Sequence, residues 1–249
     1  PIIISLSFID IRWYSLAYIF AFILGSVFIK KLNSSSYKLI SDIQIDKFFI
    51  WAILGVILGG RIGYVFFYQT NLFFTKPFYI LEIWNGGMSF HGGLIGMIFS
   101  IYFFSLKYKI PFFYLSDLVS LVAPVGLFLG RISNFINTEL YGRVTDFPFA
   151  IIYPLIDSNP RHPSQLYEAF FEGIILFLIL FLYFNKKPKS YLLGSVSGLF
   201  LIFYSIFRFL IEYLREPDYH LGLVFYFFSM GQLLCIPFLL AGIWILVRK

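Results

Sequence analysis

Apolar residues in this chain fall into long runs separated by short polar stretches, and the run lengths set the first expectation about the fold. Seven runs approach the roughly 20 mostly apolar residues that a helix needs to cross a bilayer: about 12–30, 48–68, 88–106, 113–130, 164–184, 193–214 and 226–247. The pattern predicts an all-α integral membrane protein, a bundle of about seven transmembrane helices forming a single domain over residues 1–249. The first run has no basic flank and no small-residue cleavage site, and six more follow it. It therefore reads as a span and not as a cleaved signal peptide.

Composition points the same way. Of the residues, 59% are hydrophobic, 22% aromatic and only 13% charged, where a soluble domain carries about 25% charged residues. The single cysteine, Cys235, excludes an internal disulfide framework and any multi-cysteine metal site. Its place in the last apolar run suits a small buried hydrophobe. His91, His162 and His220 are scattered without zinc spacing, so no metal is expected. The net charge of +6 points to anionic partners, membrane lipids among them and no nucleic acid.

The basic residues divide by type. Lys30, Lys31, Lys38 and Lys47 lie in the first connection between runs, and Lys107 and Lys109 lie in the third. Lys186, Lys187 and Lys189 lie in the fifth, and Arg248 and Lys249 end the chain. The positive-inside rule makes these segments and the C-terminus cytoplasmic. The N-terminus and the second, fourth and sixth connections are then outside, with Lys76 as the one lysine there. Arg12, Arg61, Arg131, Arg143, Arg161, Arg208 and Arg215 all fall on that outer side or in the outer half of a run. Two readings follow: interfacial snorkelling, or an anion site at the outer leaflet, since the guanidinium fork suits phosphate and carboxylate.

Polar clusters punctuate the outer ends of the runs. In "LGVILGGRIGYVFFY", Gly55, Gly59 and Gly63 recur every fourth residue, the spacing that lets helices touch closely. Arg61 among them serves either an interhelical salt bridge or a substrate. "WNGGMSFHGGLIG" supplies His91 beside a second close-packing pair, Gly92 and Gly96. "HPSQLYEAFFEG" opens the fifth run, with Ser164 expected to cap and Glu168 to suit the helix dipole. In "RFLIEYLREPD", Arg208, Glu212 and Arg215 share one helix face, with Tyr204 a turn deeper and Glu212 the expected partner of Arg208. Tyr14 stands at the mouth of the first run, where an aromatic belt would also place a tyrosine. The densest cluster is "GRISNFINTELYG", residues 130–142. There Arg131, Asn134, Asn137 and Glu139 offer polar groups to a head group or to the loop's own backbone, and Gly142 permits a tight bend or close approach.

At these residues the chain resembles the prolipoprotein diacylglyceryl transferase family. The blocks "RWYSLAY", "GGRIGYVFFY", "GGMSFHGGLIG", "GRISNFINTELYGR", "RHPSQLYE" and "FRFLIEYLREPD" occur in order along nearly the whole chain. One departure is Ser133, where the family's signature usually has glycine. The resemblance implies a bacterial plasma-membrane (inner-membrane) enzyme that moves a diacylglyceryl group from phosphatidylglycerol to the lipobox cysteine of a prelipoprotein signal peptide, releasing glycerol 1-phosphate. It carries over Tyr14, His91, Arg131, Asn134, Glu139, Gly142, Tyr204, Arg208 and Glu212 as the important positions.

On that reaction two charges must be managed. The thiol must lose a proton from a pKa near 8.5, and the departing phosphate must accept charge. Arg131 and Arg208 are the expected phosphate stabilisers, with Arg131→Ala expected to lose nearly all activity while the protein stays folded. Tyr14, Asn134, Glu139, Gly142, Tyr204, Glu212 and Arg61 are expected to bind substrate. Histidine is the side-chain type suited to a general base, so His91 is the expected base, although it could equally orient lipid. No cofactor is expected, because the phospholipid brings its own leaving group. The residues alone also leave open a multi-pass anion transporter with an arginine-lined outer site, although the clusters are one-sided and no internal repeat is visible.

Overall fold

In the computed structural model of the chain, the described residues are 2–6, 9–35, 39–186, 193–217, 223–224 and 227–248. Lys38, Lys187, Lys189, His220 and Lys249 lie outside them. Six helices among the described residues are long and apolar enough to cross a membrane, and a seventh, shorter apolar helix covers Ser195–Ile211. The helical membrane fold matches the expectation. The chain divides into two compact units, residues 26–116 and residues 1–25 with 117–249.

The unit of residues 26–116 is built on α2 (Asp42–Tyr68) and α4 (Phe90–Tyr108). Ser41 and Gln44 close a reciprocal capping box that starts α2, and Ser89 caps α4 through the Gly92 amide. These caps satisfy N–H groups that the first helical turn leaves without partners. The two helices meet along the glycine stripes read from the sequence. A Cβ on Gly63 would lie 2.9 Å from Gly92 Cα, and one on Gly59 would lie 2.9 Å from Gly96 Cα, so the backbones touch as small-residue spacing predicts. A short α3 (Thr70–Thr75) and two 3₁₀ turns, Pro77–Leu81 and Ile83–Asn85, link α2 to α4.

The other unit holds the start of α1 (Trp13–Ser35), most of α5 (Phe112–Ile136) and the helices that follow. The fifth predicted span is one helix of three pieces: α6 (Ser164–Glu168), a π-helical stretch over Ala169–Ile175, and α7 (Leu176–Asn185). Then come α8 (Ser195–Ile211) and α9 (Met230–Val247), packed where a Cβ on Gly242 would lie 2.8 Å from Gly198 O. Asp117, 1% exposed, accepts from Gly194 N and Ser197 N at 2.8 Å each and from Ser197 Oγ at 2.7 Å. A carboxylate on α5 thus caps the first turn of α8, where the helix dipole favours negative charge.

Three two-stranded hairpins among the described residues were not legible as strands. They are β1 (Ile2–Leu6) with β2 (Ile9–Arg12), β3 (Ile151–Ile152) with β4 (Pro160–Arg161), and β5 (Leu223–Val224) with β6 (Phe228–Ser229). All three are antiparallel. The last two have strands of two residues, too short to show an alternation in the sequence.

Candidate active site

Helix α5 ends at Ile136, and the chain beyond it is bent by two residues with left-handed backbone, Thr138 at φ 59° and Leu140 at φ 56°. Side chains with a Cβ disfavour that conformation by roughly 1–2 kcal/mol, so neighbouring contacts must hold it. Two fully buried side chains that open α6 do so: Gln165 Nε2 donates to Glu139 O at 2.7 Å, and Ser164 Oγ donates to Leu140 O at 2.8 Å. The expected cap at Ser164 is therefore not made; its hydroxyl is spent on the neighbouring loop. The Tyr153 hydroxyl donates to Gln165 Oε1 at 3.1 Å. Burial pushes that phenol up to about 12, because a phenolate there would be poorly solvated.

Between the strained positions, the Glu139 carboxylate accepts from the Tyr14 hydroxyl, and Tyr14 Oη in turn accepts from Asn134 Nδ2. Gly142 allows a close crossing. Its amide donates to His162 O at 2.9 Å, and a Cβ there would lie 2.7 Å from Leu214 O. Arg143 adds bonds from its amide to Leu214 O at 2.9 Å and from Nε to Arg215 O at 3.0 Å. Arg161 ties the same crossing with Nη2 on Asp157 at 2.6 Å and Nη1 on both Gly142 O and Glu216 at 3.2 Å. Hydrogen bonding from Arg161 holds the Asp157 carboxyl below the usual carboxylate range. Ser133 stays within its helix, donating to Leu129 O at 3.0 Å.

One turn before Asn134, Arg131 enters a ladder of alternating charge. Its Nη2 lies 3.3 Å from Glu172 Oε2 and its Nη1 lies 3.2 Å from Glu168 Oε2. The other oxygen of Glu168 accepts from Arg208 Nη1. Arg208 Nη2 lies 2.8 Å from Glu212 Oε2, and Arg215 Nη1 lies 3.6 Å from the same oxygen. Ser229 Oγ donates to Glu212 Oε1 at 2.9 Å. The pairing of Arg208 with Glu212 matches the helix-face spacing. Glu168 is not a helix-dipole carboxylate at the surface; it is fully buried and joins two arginines on different helices. Glu172, also fully buried, escaped the sequence reading. The only hint was its i, i+4 relation to Glu168 inside the apolar run "LYEAFFEG".

Eight of the residues singled out from the sequence, Tyr14, Arg131, Asn134, Glu139, Gly142, Tyr204, Arg208 and Glu212, belong to this unit. Tyr204 lies one turn from Arg208 on α8, its ring stacked on Phe200 at 5.8 Å between centroids. Its hydroxyl has no hydrogen-bond partner among the described residues. Arg61 and His91 belong to the other unit. Arg61 is 1% exposed and makes no interhelical salt bridge among the described residues. Its guanidinium instead donates to the Gly86 carbonyl, to Gly87 O at 3.4 Å and to Tyr79 O at 2.9 Å, with the Tyr79 ring 4.7 Å away. That geometry straps the α2–α4 connection onto α2. The half-buried His91 ring stands edge-on to Phe90 at 5.5 Å and has no hydrogen-bond partner among the described residues. No group of three or more potential metal ligands occurs among the described residues.

Comparison with known proteins bears on what this arrangement can do. The family profile for prolipoprotein diacylglyceryl transferase matches residues 1–248. The phosphatidylglycerol–prolipoprotein diacylglyceryl transferase of Rickettsia typhi is 48% identical over 248 residues, covering 100% of this chain and 96% of that protein. The protein of the same name from Aeromonas hydrophila is 44% identical over 252 residues, covering 100% of this chain and 91% of its own length.

Proposed function

Since this chain belongs to the prolipoprotein diacylglyceryl transferase family, we propose that it transfers the sn-1,2-diacylglyceryl group of phosphatidylglycerol to the lipobox cysteine of prelipoproteins at the outer leaflet of the bacterial inner membrane. It is a multi-pass membrane transferase, and the match over residues 1–248 is the observation that carries the reading.

The bond changes define what the site must do. The cysteine sulfur, as thiolate, bonds to the sn-3 carbon of the lipid glycerol and forms a thioether. That carbon's bond to the phosphate oxygen breaks, and the electron pair leaves with glycerol 1-phosphate. A phosphodiester with one negative charge becomes a monoester with one more, while the thiol proton passes to a base. Arg131 suits the first task. Its side chain keeps 15% exposure, and its Nε has no acceptor among the described residues, so donors remain free while two carboxylates fix the fork. Preorganised donors of this kind contribute roughly 3–4 kcal/mol each to a developing anion. Arg208 adds charge from one step along the ladder. Tyr14, Asn134, Glu139 and Gly142 orient the head group, with Tyr204 and Glu212 beside them. For the base, His91 remains the choice, its ring nitrogens unengaged among the described residues.

Mass analysis tests the reading. Purified protein, phosphatidylglycerol and a lipobox peptide should give a peptide heavier by one diacylglyceryl group, together with glycerol 1-phosphate. A peptide unchanged after incubation with folded protein and lipid would overturn it.

A further inference from the structure

From the ladder's geometry we infer that Glu172, which no sequence block flagged, is a positioning residue for Arg131 in the transfer reaction. The inference rests on the function proposed above. Arg131 has two anchors, and they differ in kind. Glu168 divides its oxygens between Arg131 and Arg208, whereas Glu172 has Arg131 as its one salt-bridge partner among the described residues, with Arg208 acting on it only at longer range. The remaining oxygen of Glu172, Oε1, is buried and accepts no hydrogen bond among the described residues. A fully buried carboxylate with half its capacity unused is costly to keep, and a purely structural role would be served better by an apolar side chain of similar size.

The backbone is shaped to bring this group to the arginine. Glu172 lies in the π-helical stretch Ala169–Ile175, a rare helix form that recurs at functional sites. The next residue, Gly173, lies against α5 so closely that a Cβ there would come 2.7 Å from Phe128 Cβ. Phe128 precedes Arg131 by one helical turn. The close approach at Gly173 therefore delivers the Glu172 carboxylate to Arg131 Nη2 at 3.3 Å. With Nη1 on Glu168 and Nη2 on Glu172, the guanidinium plane is held from two helical turns at once, and its unengaged Nε edge is aimed by the other two contacts. Glu172 touches no substrate in this scheme; it acts through Arg131.

Removing the Glu172 charge has opposite consequences for binding and for chemistry. A negative charge disappears near the lipid phosphate, so attraction for the lipid does not weaken. The fork loses an anchor, so its aim at the departing phosphate degrades, and misplacement by about 1 Å can cost on the order of 10²-fold in rate. Glu172→Gln and Glu172→Asp are compared with wild type by diacylglyceryl transfer to a lipobox peptide, with phosphatidylglycerol varied and each monodisperse protein normalised by its thermal transition. The expected result for Glu172→Gln is a kcat lower by about 10–100-fold with a lipid KM that does not rise. Glu172→Asp, which keeps the charge on a shorter arm, should recover part of that loss. Wild-type kcat in Glu172→Gln, a raised KM, or no recovery in Glu172→Asp would each overturn the inference. If Glu172→Gln does not fold, Glu172→Asp decides alone: a reduced kcat without a raised KM upholds it, and wild-type kcat overturns it. Transfer by wild type matched by Glu172→Gln defeats only the positioning role, whereas no transfer by wild type defeats the proposed function and this inference together.

Discussion

Arg131→Ala is the most informative single perturbation, because the ladder gives it two separable effects. The substitution removes the cationic partner of Glu172 and one of the two partners of Glu168. Glu168 keeps Arg208, but Glu172 is left fully buried with no salt-bridge partner among the described residues, only the longer-range attraction of Arg208. Breaking a buried pair from one side costs about 3–5 kcal/mol. A second route gives a similar figure: neutralising a carboxyl of ordinary pKa near 4.3 by protonation at pH 7 costs roughly 3–4 kcal/mol. At about 1.4 kcal/mol per tenfold, the folded-to-unfolded ratio falls by roughly 10²–10³·⁵. The sequence alone made this substitution a purely functional lesion; the structure adds a stability lesion through Glu172. The double variant Arg131→Ala/Glu172→Ala removes the stranded charge, so it should regain much of the thermal stability in detergent and none of the transfer activity. Thermal unfolding followed by light scattering, with transfer to a lipobox peptide on the same samples, measures both. Equal stability of the single and double variants would refute the stranded-charge reasoning. Wild-type turnover in Arg131→Ala would refute the phosphate role.

Other outcomes follow from residues away from the ladder. In a Cys235→Ala background, a cysteine at the exposed Ser158 should react with an impermeant maleimide from outside the cell and one at Lys186 only after the cytoplasm is opened; the reverse pattern would defeat the outer-leaflet assignment. His91→Asn should fold normally and bind phosphatidylglycerol, with turnover lower by about 10²–10⁴-fold if the ring is the base; near-normal turnover would remove it from that role. Gly142→Ala should reduce stability by about 1–3 kcal/mol, because the added methyl meets backbone carbonyls that cannot move aside without breaking the crossing. Limited proteolysis between residues 143 and 161 reads that loosening, and unchanged protection would show that the crossing is not tight.

The spans were legible because run length and apolarity are local properties, and the α2–α4 contact was legible because its glycines carry a four-residue period. The pairing of Arg208 with Glu212 was legible for the same reason: both partners lie on one helix, four residues apart. What escaped is non-local or lacks a side-chain signature. Gln165 and Ser164 bond carbonyls 26 and 24 residues away, and nothing in "HPSQ" names those acceptors. Arg61 ends on backbone carbonyls, which any sequence supplies, so its spacing suggested a salt bridge that is not made among the described residues and could not name the carbonyls. The left-handed Thr138 and Leu140 are residue types that ordinarily avoid that conformation, so only tertiary contacts could have revealed the bend. Glu172 looked like one polar interruption in an apolar run until α5 came against it.

The ladder also bears on which arginine meets the departing phosphate. Read in order, Glu172, Arg131, Glu168, Arg208, Glu212 and Arg215 alternate in sign, and their formal charges cancel. Cancellation is what allows three arginines to sit at the end of apolar helices, where an unpaired cation is expensive. It also means that no arginine of the ladder offers a fully free charge, so a phosphate there must compete with carboxylates already in place. Competition is easiest where the existing contacts are loose. Charge-assisted N–H···O bonds typically run about 2.7–2.9 Å. Arg208 meets Glu212 within that range at 2.8 Å, whereas both contacts of Arg131 are longer, at 3.2 and 3.3 Å. Arg131 is also the more exposed of the two, 15% against 10% for the side chains. Its fork, aimed by two contacts longer than those of Arg208 and with Nε unengaged among the described residues, can accept the charge that builds on the leaving group without dismantling a pair, whereas Arg208 would first have to surrender Glu212 or Glu168. On the proposed reaction, Arg131 therefore takes the direct contact with phosphate, and Arg208 acts chiefly by keeping Glu168 turned toward it.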